Sequence, residues 1–492
     1  MLFNSLPFLV FFPLTVFFYF IVPCKLRWLW LLFASYFFYM AWNPLYGFLL
    51  FTVTFITWIF GVLIGVAGSH NPRAILGKKL LLAAGIIFTL FLLFYFKYAD
   101  FAVTNIAALL ALAGITVAVP AFDIVLPVGI SFYTFQALGY MVDVYRGDTE
   151  AEKNLARHAL FISFFPQLLA GPIGRAEKIK AELFAHHRFN YEDARYGLLL
   201  MLWGYFQKMM IADQAAVLVS SVYDIFYYAA GYQIVLATLL FAVQVYCDFA
   251  AYSLIALGAA RVMGIRLTDN FRQPYLAVSV KDFWHRWHIS LSTWFRDYLY
   301  IPLGGSRCSR PKKYRNIMVT FLASGLWHGA SLNFLAWGAL HGFCLIAGDF
   351  SLARRKAKVR SKECDIFQNG KLGSRIHNVI RILTTFALVS VTWIFFRADG
   401  IMAAIHMIRR IFTSPLAGQI NEKWFLSPAL AISIVLLIVI DLCREKLDIF
   451  NFILKQNALV RWTVYYALVL TIIVLGIYGT EYVQTQFIYF DF

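Results

Sequence analysis

Charge is what this 492-residue sequence has least of. Only 14% of its residues are Asp, Glu, Lys or Arg, against 61% that are hydrophobic. Soluble domains carry about a quarter charged residues and roughly half apolar ones, so the imbalance excludes a soluble protein and leaves a polytopic membrane protein. Cysteine is scarce as well. Cys24, Cys247, Cys308, Cys344, Cys364 and Cys443 are scattered, with no CxxC pair, which argues against a disulfide framework or a zinc knuckle. They read as isolated small core residues and loop thiols. The first apolar run, "LFNSLPFLVFFPLTVFFYFIV", has no basic leading region and no small-residue cleavage site, so it reads as a retained helix rather than a signal peptide. Internal repeats, low-complexity tracts and long linkers are missing too, and a single membrane domain, 1–492, is the economical reading.

What the sequence does have is long greasy runs. A spanning helix needs about 20 predominantly apolar residues. Candidates lie near 2–22, 28–43, 45–67, 79–97, 101–119, 195–220, 232–260, 317–333, 334–349, 377–396, 427–442 and 462–480. Two shorter pieces, 124–142 and 158–172, carry Pro127, Gly129, Pro166, Gly171 and Pro172. Broken helices survive in a membrane only where protein or a water cavity covers the freed backbone, so these pieces read as partial or re-entrant. The expectation is an all-α protein with about ten to twelve spans.

The net charge of +17 does not point to nucleic acid, because the basic residues gather in short loops between apolar runs. Lys25 and Arg27 follow the first span, and Arg73, Lys78 and Lys79 follow the third. "SRCSRPKKYRN" (306–316) holds five basic residues and no acid; 353–376 holds eight against Glu363 and Asp365. The positive-inside pattern puts these loops in the cytoplasm and the N-terminus outside. "IMAAIHMIRRIF" (401–412) then falls outside, as an interfacial helix.

Polar residues crowd into 269–305, "DNFRQPYLAVSVKDFWHRWHISLSTWFRDYLYIPLGG". Helical spacing would set His285 and His288 one turn apart, and would pair Asp282 with Arg286 and Thr293 with Asp297. Trp284, Trp287 and Trp294 would pack the other side or anchor at the interface. Ionisable groups at membrane depth usually line a cavity. Further on, "LASGLWHGASLNFLAWGALHG" (322–342) places His328 in an apolar hairpin among Gly325, Gly329 and Ala330. Small neighbours admit another helix or a substrate, and an approachable neutral imidazole is a competent general base. The plainer reading of each residue is structural. His328, His285 and His341 would then be polar links between helices, His186 and His187 a solvated loop, and "SRPKKYR" a topogenic run.

"QPYLAVSVKDFWHRWHISLSTWFRDYLYIPLGG" followed by "GLWHGASLNFLAWGALHG" resembles the membrane-bound O-acyltransferases, in their bacterial alginate O-acetylase-like branch. "LPVGISFYTFQALGYMVDVYRG", "FFPQLLAGPIGR", "YCDFAAYSLIALGAARVMGI" and the terminal "FIYFDF" extend the resemblance over nearly the whole chain. It implies a helix bundle with re-entrant segments around a central polar tunnel. The family's hallmark histidine falls on His328 and its second histidine on His288; relatives usually have Arg or Asn where His285 stands, so His285 is not expected to be catalytic. Arg296, Asp297 and Trp327 are expected in support. The resemblance further implies acetyl transfer in the bacterial inner membrane from acetyl-CoA or another cytoplasmic acyl thioester, with no permanently bound cofactor. The acceptor would be an extracytoplasmic polysaccharide, alginate or similar, and a periplasmic SGNH-type acetyltransferase would be the partner. His328 would act as base and His288 would orient the donor or steady the oxyanion.

Other classes remain on the page. Peptidoglycan is an alternative acceptor, and teichoic acid D-alanylation fits less well. The broken helices suit a polysaccharide or lipid transporter, although no inverted repeat is visible. "HRWH" would suit a di-iron oxidase, but such a site needs its histidines in clustered motifs, and the ten here include no HxxHH cluster.

Overall fold

A computed structural model describes residues 1–67, 72–117, 126–169, 171–360, 371–416 and 426–478. Among these residues every regular element is helical. The terminal "FIYFDF", Cys364 and stretch 361–370 of the basic loop lie outside the described residues. The chain divides into two compact units, Met1–Leu202 with Tyr252–Thr268, and Trp203–Ala251 with Asp269–Phe492.

Six helices among the described residues are long and apolar enough to cross a membrane: Pro44–Val66, Pro72–Leu112, Gly231–Val262, Leu332–Ser351, Arg375–Arg397 and Ala458–Leu475. Other runs expected to span form shorter helices: Leu6–Ile21 of 16 residues, Arg27–Met40 of 14 and Pro428–Arg444 of 17. At 1.5 Å per residue these reach about 21–26 Å. The expected spans at 79–97 and 101–119 are not separate, because Pro72–Leu112 is one helix of 41 residues. The polar run Lys97–Asp100 that suggested a boundary contains neither proline nor glycine, and nothing else there stops a helix.

The helix Pro44–Val66 shows how such a protein packs. Asn43 caps it by accepting the Leu45 N–H at 3.0 Å, with Pro44 in the first turn. Leu45, Phe48, Phe51, Phe55, Ile59, Leu63 and Val66 are exposed at helical spacing, while Gly47, Thr54, Thr57 and Gly61 are buried. The outward face is mainly apolar, while the inward face mixes these small and hydroxyl residues with Tyr46, Leu50, Val53 and Ile64. Thr54 and Thr57 satisfy their hydroxyls on the carbonyls of Leu50 and Val53 at 2.7 and 2.8 Å, and Gly61 lies so close to Tyr140 that an added Cβ would sit 2.6 Å from the ring. In lipid, association rests on close packing of small residues rather than on burial of apolar ones.

The two proline-broken pieces, expected to be partial or re-entrant, form helices. Ile130–Arg146 begins after Gly129 at φ 78°, and Leu155–Ser163 gives way to Phe165–Leu168 around Pro166. Gly129 is required twice over: its φ is left-handed, and a Cβ there would lie 2.6 Å from the Leu168 carbonyl oxygen. Ile401–Thr413 is the amphipathic helix anticipated at 401–412, with Met402, Ile405 and Phe412 exposed and Ala404 and Met407 buried.

In the second unit the helix that follows Tyr191–Phe206 widens into a π turn, Gln207–Ala212, where Asp213 N–H bonds Lys208 O five residues back. The wider turn puts Lys208 and Asp213 on one face. Lys208 Nζ lies 3.0 Å from Asp213 Oδ1 and 2.6 Å from Asp248 Oδ1 on Gly231–Val262, with all three residues buried. Removing the ammonium leaves two carboxylates facing each other in an apolar bundle, whereas removing one carboxylate leaves a matched pair. Lys208→Met is therefore expected to destabilise the protein by about 3–5 kcal/mol and Asp213→Asn by clearly less. Thermal melts of the detergent-solubilised variants would check that order.

Candidate active site

Ser279 starts the first helix of the polar stretch, its hydroxyl accepting the Asp282 N–H at 3.1 Å. The helix Val280–Arg286 ends at Trp287, and a second, Ile289–Phe295, begins after it. Between them His288 is left-handed, at φ 42°. The continuous helix expected across 282–297 is thus broken, and its hydrogen bonds show why. The Arg286 carbonyl, which in a helix would take the Ser290 N–H, accepts the Arg272 N–H at 2.9 Å. The Ile289 N–H goes to the Asn270 carbonyl at 2.9 Å and the Ser290 N–H to Asn270 Oδ1 at 3.2 Å. The segment 270–272 has taken over the partners that the helix would have used.

The break separates the two histidines that uninterrupted spacing set one turn apart. His285 is exposed, whereas His288 is completely buried. The expected Asp282–Arg286 pair forms at 3.0 Å, and Arg286 also pairs with Glu445. Asp297 pairs with its neighbour Arg296 at 2.7 Å in a second π turn, Arg296–Tyr300, while Thr293 Oγ1 bonds back to the Ile289 carbonyl at 2.8 Å. Trp284 and Trp287 face inward among aromatics rather than serving as outer anchors.

His328 is the last residue of the helix Arg310–His328, which stops at the extended Gly329. The small residues near it admit a helix. A Cβ on Gly325 would lie 2.2 Å from the Phe334 carbonyl oxygen, and one on Gly338 would lie 2.3 Å from that of Phe321. Arg310–His328 and Leu332–Arg360 consequently pack backbone to backbone as a hairpin. The imidazole, expected to be approachable, is 2% exposed. Trp327, Trp337 and Phe396 meet it edge-on, with ring centroids at 5.0, 4.9 and 5.3 Å.

His288 belongs to the same aromatic cluster. Its ring meets Phe249 at 4.5 Å and Trp327 at 5.7 Å, and its Nδ1 lies 3.2 Å from Asn270 Oδ1. Trp327 therefore touches both candidate histidines. His341 stands one helical turn beyond Trp337 and is fully buried. It accepts the Trp284 Nε1–H on Nδ1 at 3.2 Å and meets Thr392 Oγ1 through Nε2 at 2.9 Å. The Thr392 hydroxyl donates to the Val389 carbonyl at 2.7 Å, so His341 must donate from Nε2. It is a neutral tie between three helices, as its structural reading had it. Sequence reasoning missed Asn270, Phe249, Trp337 and Phe396. Asn270 stood inside the polar stretch but no spacing rule marks it, and aromatics are too common in this chain, at 18%, to signal a site.

Among the described residues no three His, Cys, Asp or Glu side chains come close enough together to hold a metal. Of the pair 186–187, His186 is exposed, and the His187 Nε2 lies 2.6 Å from the Glu182 carbonyl oxygen.

The description "MBOAT, membrane-bound O-acyltransferase family" matches residues 153–363, which include both histidines. A probable alginate O-acetylase of Pseudomonas aeruginosa is 37% identical over 84% of this chain and 75% of its own length. The chain belongs to the membrane-bound O-acyltransferase family. A peptidoglycan O-acetyltransferase of Helicobacter pylori is 30% identical over 94% of this chain and 91% of its own. A teichoic acid D-alanyltransferase of Bacillus subtilis is 29% identical over 47% of this chain and 61% of its own. As a membrane-bound O-acyltransferase the protein is an acyl-transfer enzyme with several membrane spans.

The glycine contacts make the placement of His328 testable. Gly325→Ala must separate the hairpin and is expected to cost about 1–3 kcal/mol and, through misplacement of the ring, to lower acyl transfer about tenfold or more. Gly348→Ala, on the same hairpin with open space around its Cα, should leave both unchanged. Melting temperatures and initial rates of the two variants decide this.

Proposed function

We propose that this protein is an O-acetyltransferase of the bacterial inner membrane. It takes acetyl from a cytoplasmic thioester, acetyl-CoA or another acyl carrier, and passes it towards an extracytoplasmic polysaccharide, alginate or a similar exopolysaccharide. The observation that carries the reading is the shared contact of His288 and His328 with Trp327, within the segment matched by an acyltransferase family. The acetylase names of two relatives supply the acyl group and the class of acceptor.

The chemistry asks little else of the protein. A thioester carbonyl is already activated; the hydroxyl must lose a proton as its oxygen bonds the carbonyl carbon, and the C–S bond then breaks. His328 takes that proton and returns it to the leaving thiolate, while His288 orients the donor or steadies the tetrahedral oxyanion. Arg296 and Asp297, paired with each other, hold the π turn, and Trp327 sets the spacing of the two rings. A periplasmic SGNH-type acetyltransferase completes the delivery to polymer. Peptidoglycan is the second reading for the acceptor, favoured by the fuller span of the match to the Helicobacter enzyme, 94% of this chain.

The donor reading has its own support. Arg307, Arg310, Lys312 and Arg315 are exposed around the start of the helix whose far end carries His328, and cationic loops attract phosphorylated thioesters.

Two measurements follow. In proteoliposomes given labelled acetyl-CoA and acceptor, His328→Ala should lose transfer by a hundredfold or more, on the order expected for a general base, while inserting normally; wild-type turnover in that variant removes the base assignment. The double charge reversal Arg310→Glu and Lys312→Glu should raise the donor KM about tenfold and weaken its dependence on salt, because less attraction is left to screen, with kcat unchanged.

A further inference from the structure

We infer that Asn270 fixes the orientation and tautomer of His288, holding the ring with its proton on Nδ1 and its lone pair on Nε2. The inference rests on the reading above for its catalytic meaning, and on hydrogen-bond geometry for everything else.

Three donors converge on one atom. Asn270 Oδ1 lies 3.2 Å from the Ser290 backbone N, 2.9 Å from Ser290 Oγ and 3.2 Å from His288 Nδ1. A backbone N–H can only donate, so the Asn270 atom facing it is the carbonyl oxygen and not the amide nitrogen. An amide oxygen can only accept, so His288 Nδ1 must carry a proton to meet it. A neutral imidazole has one ring N–H, and the basic lone pair therefore lies on Nε2. The second-layer partner of a histidine commonly decides which nitrogen faces the chemistry.

The backbone of Asn270 holds the same ring in place a second way. Its carbonyl accepts the Ile289 N–H at 2.9 Å, next to the left-handed His288. A non-glycine residue at φ 42° is uncommon and persists only where its surroundings over-determine it. Here the surroundings are Asn270, on both its side chain and its main chain, and the Arg272–Arg286 backbone bond. On the other side, Phe249 stands perpendicular to the imidazole at 4.5 Å and closes off rotation of the ring. Asn270 is 2% exposed, so water does not compete for its oxygen. Asn270 is thus a positioning residue, acting through His288 rather than on the substrate.

The test is the tautomer itself. In full-length protein labelled with 15N-histidine in nanodiscs, long-range proton–nitrogen spectra distinguish the two ring forms, and the His288 signals are assigned by their loss in His288→Gln. The wild type should show a protonated Nδ1. Asn270→Leu, close in size but unable to accept, should lose that pattern and lower kcat about tenfold or more, with the donor KM within about twofold. Asn270→Asp, which keeps an acceptor oxygen, should restore both. A wild-type spectrum with the proton on Nε2, or an Asn270→Leu spectrum identical to wild type, overturns the inference, and the wild-type spectrum alone suffices if the leucine variant does not accumulate. A tautomer that moves in Asn270→Leu while turnover stays constant sustains Asn270 as the holder of the ring. It instead removes His288 from the reaction, which counts against the functional reading.

Discussion

Three hydrogen bonds between residues 270–272 and 286–290 govern the geometry of this protein's polar centre. Each takes a backbone partner that a continuing helix would have used: the Arg286 carbonyl, the Ile289 N–H and the Ser290 N–H. A helix that loses these bonds in an apolar setting would be costly, since a buried backbone group without a partner forfeits about 1–3 kcal/mol. The break is tolerated because each of these three groups is satisfied from the neighbouring segment 270–272. Its consequence is directional. An unbroken helix would leave His288 on a face shared with the exposed His285; the left-handed turn carries it inward to Phe249 and Trp327.

The same rule, that polar groups are satisfied before they are buried, recurs away from the site. The π turn at 207–212 aligns Lys208 with Asp213 and lets Asp248 close the group. His341 spends both ring nitrogens on Trp284 and Thr392. Thr54 and Thr57 fold their hydroxyls back on their own helix. Helix exteriors carry the apolar load, as on Ala458–Leu475, where Ile472 alone is buried. Hydrophobic burial therefore discriminates poorly between alternative packings here, and small residues together with local polar bonds determine which helices meet.

Much of this was legible from the residues. Long apolar runs marked the membrane class, the glycine and proline breaks at 124–142 and 158–172 marked partial helices, and the run 401–412, expected to be helical, forms Ile401–Thr413. The motifs around His288 and His328 identified the family that the comparisons support. What escaped reading was of two kinds. The continuity of Pro72–Leu112 escaped because composition locates polarity, not helix ends, and the polar run at 97–100 has no breaker. The break at His288 escaped because its cause lies eighteen residues away, in Asn270, and helical periodicity has no means of registering a competing partner distant in sequence.

The glycines around His328 were ambiguous in the sequence, since they admitted either a substrate or a helix. The close approach of Gly325 and Gly329 to Phe334 resolves this in favour of the helix, and that changes what they contribute to the site. With the hairpin backbones in contact, Trp337 and Trp327 both meet the His328 ring edge-on, and Phe396 meets it as a third aromatic. An imidazole so enclosed has few rotamers open to it, so in the role proposed above for His328 its orientational freedom has already been given up in folding. The small residues therefore serve fixity of the ring, not access to it. Trp327, the ring common to both histidines, couples their positions.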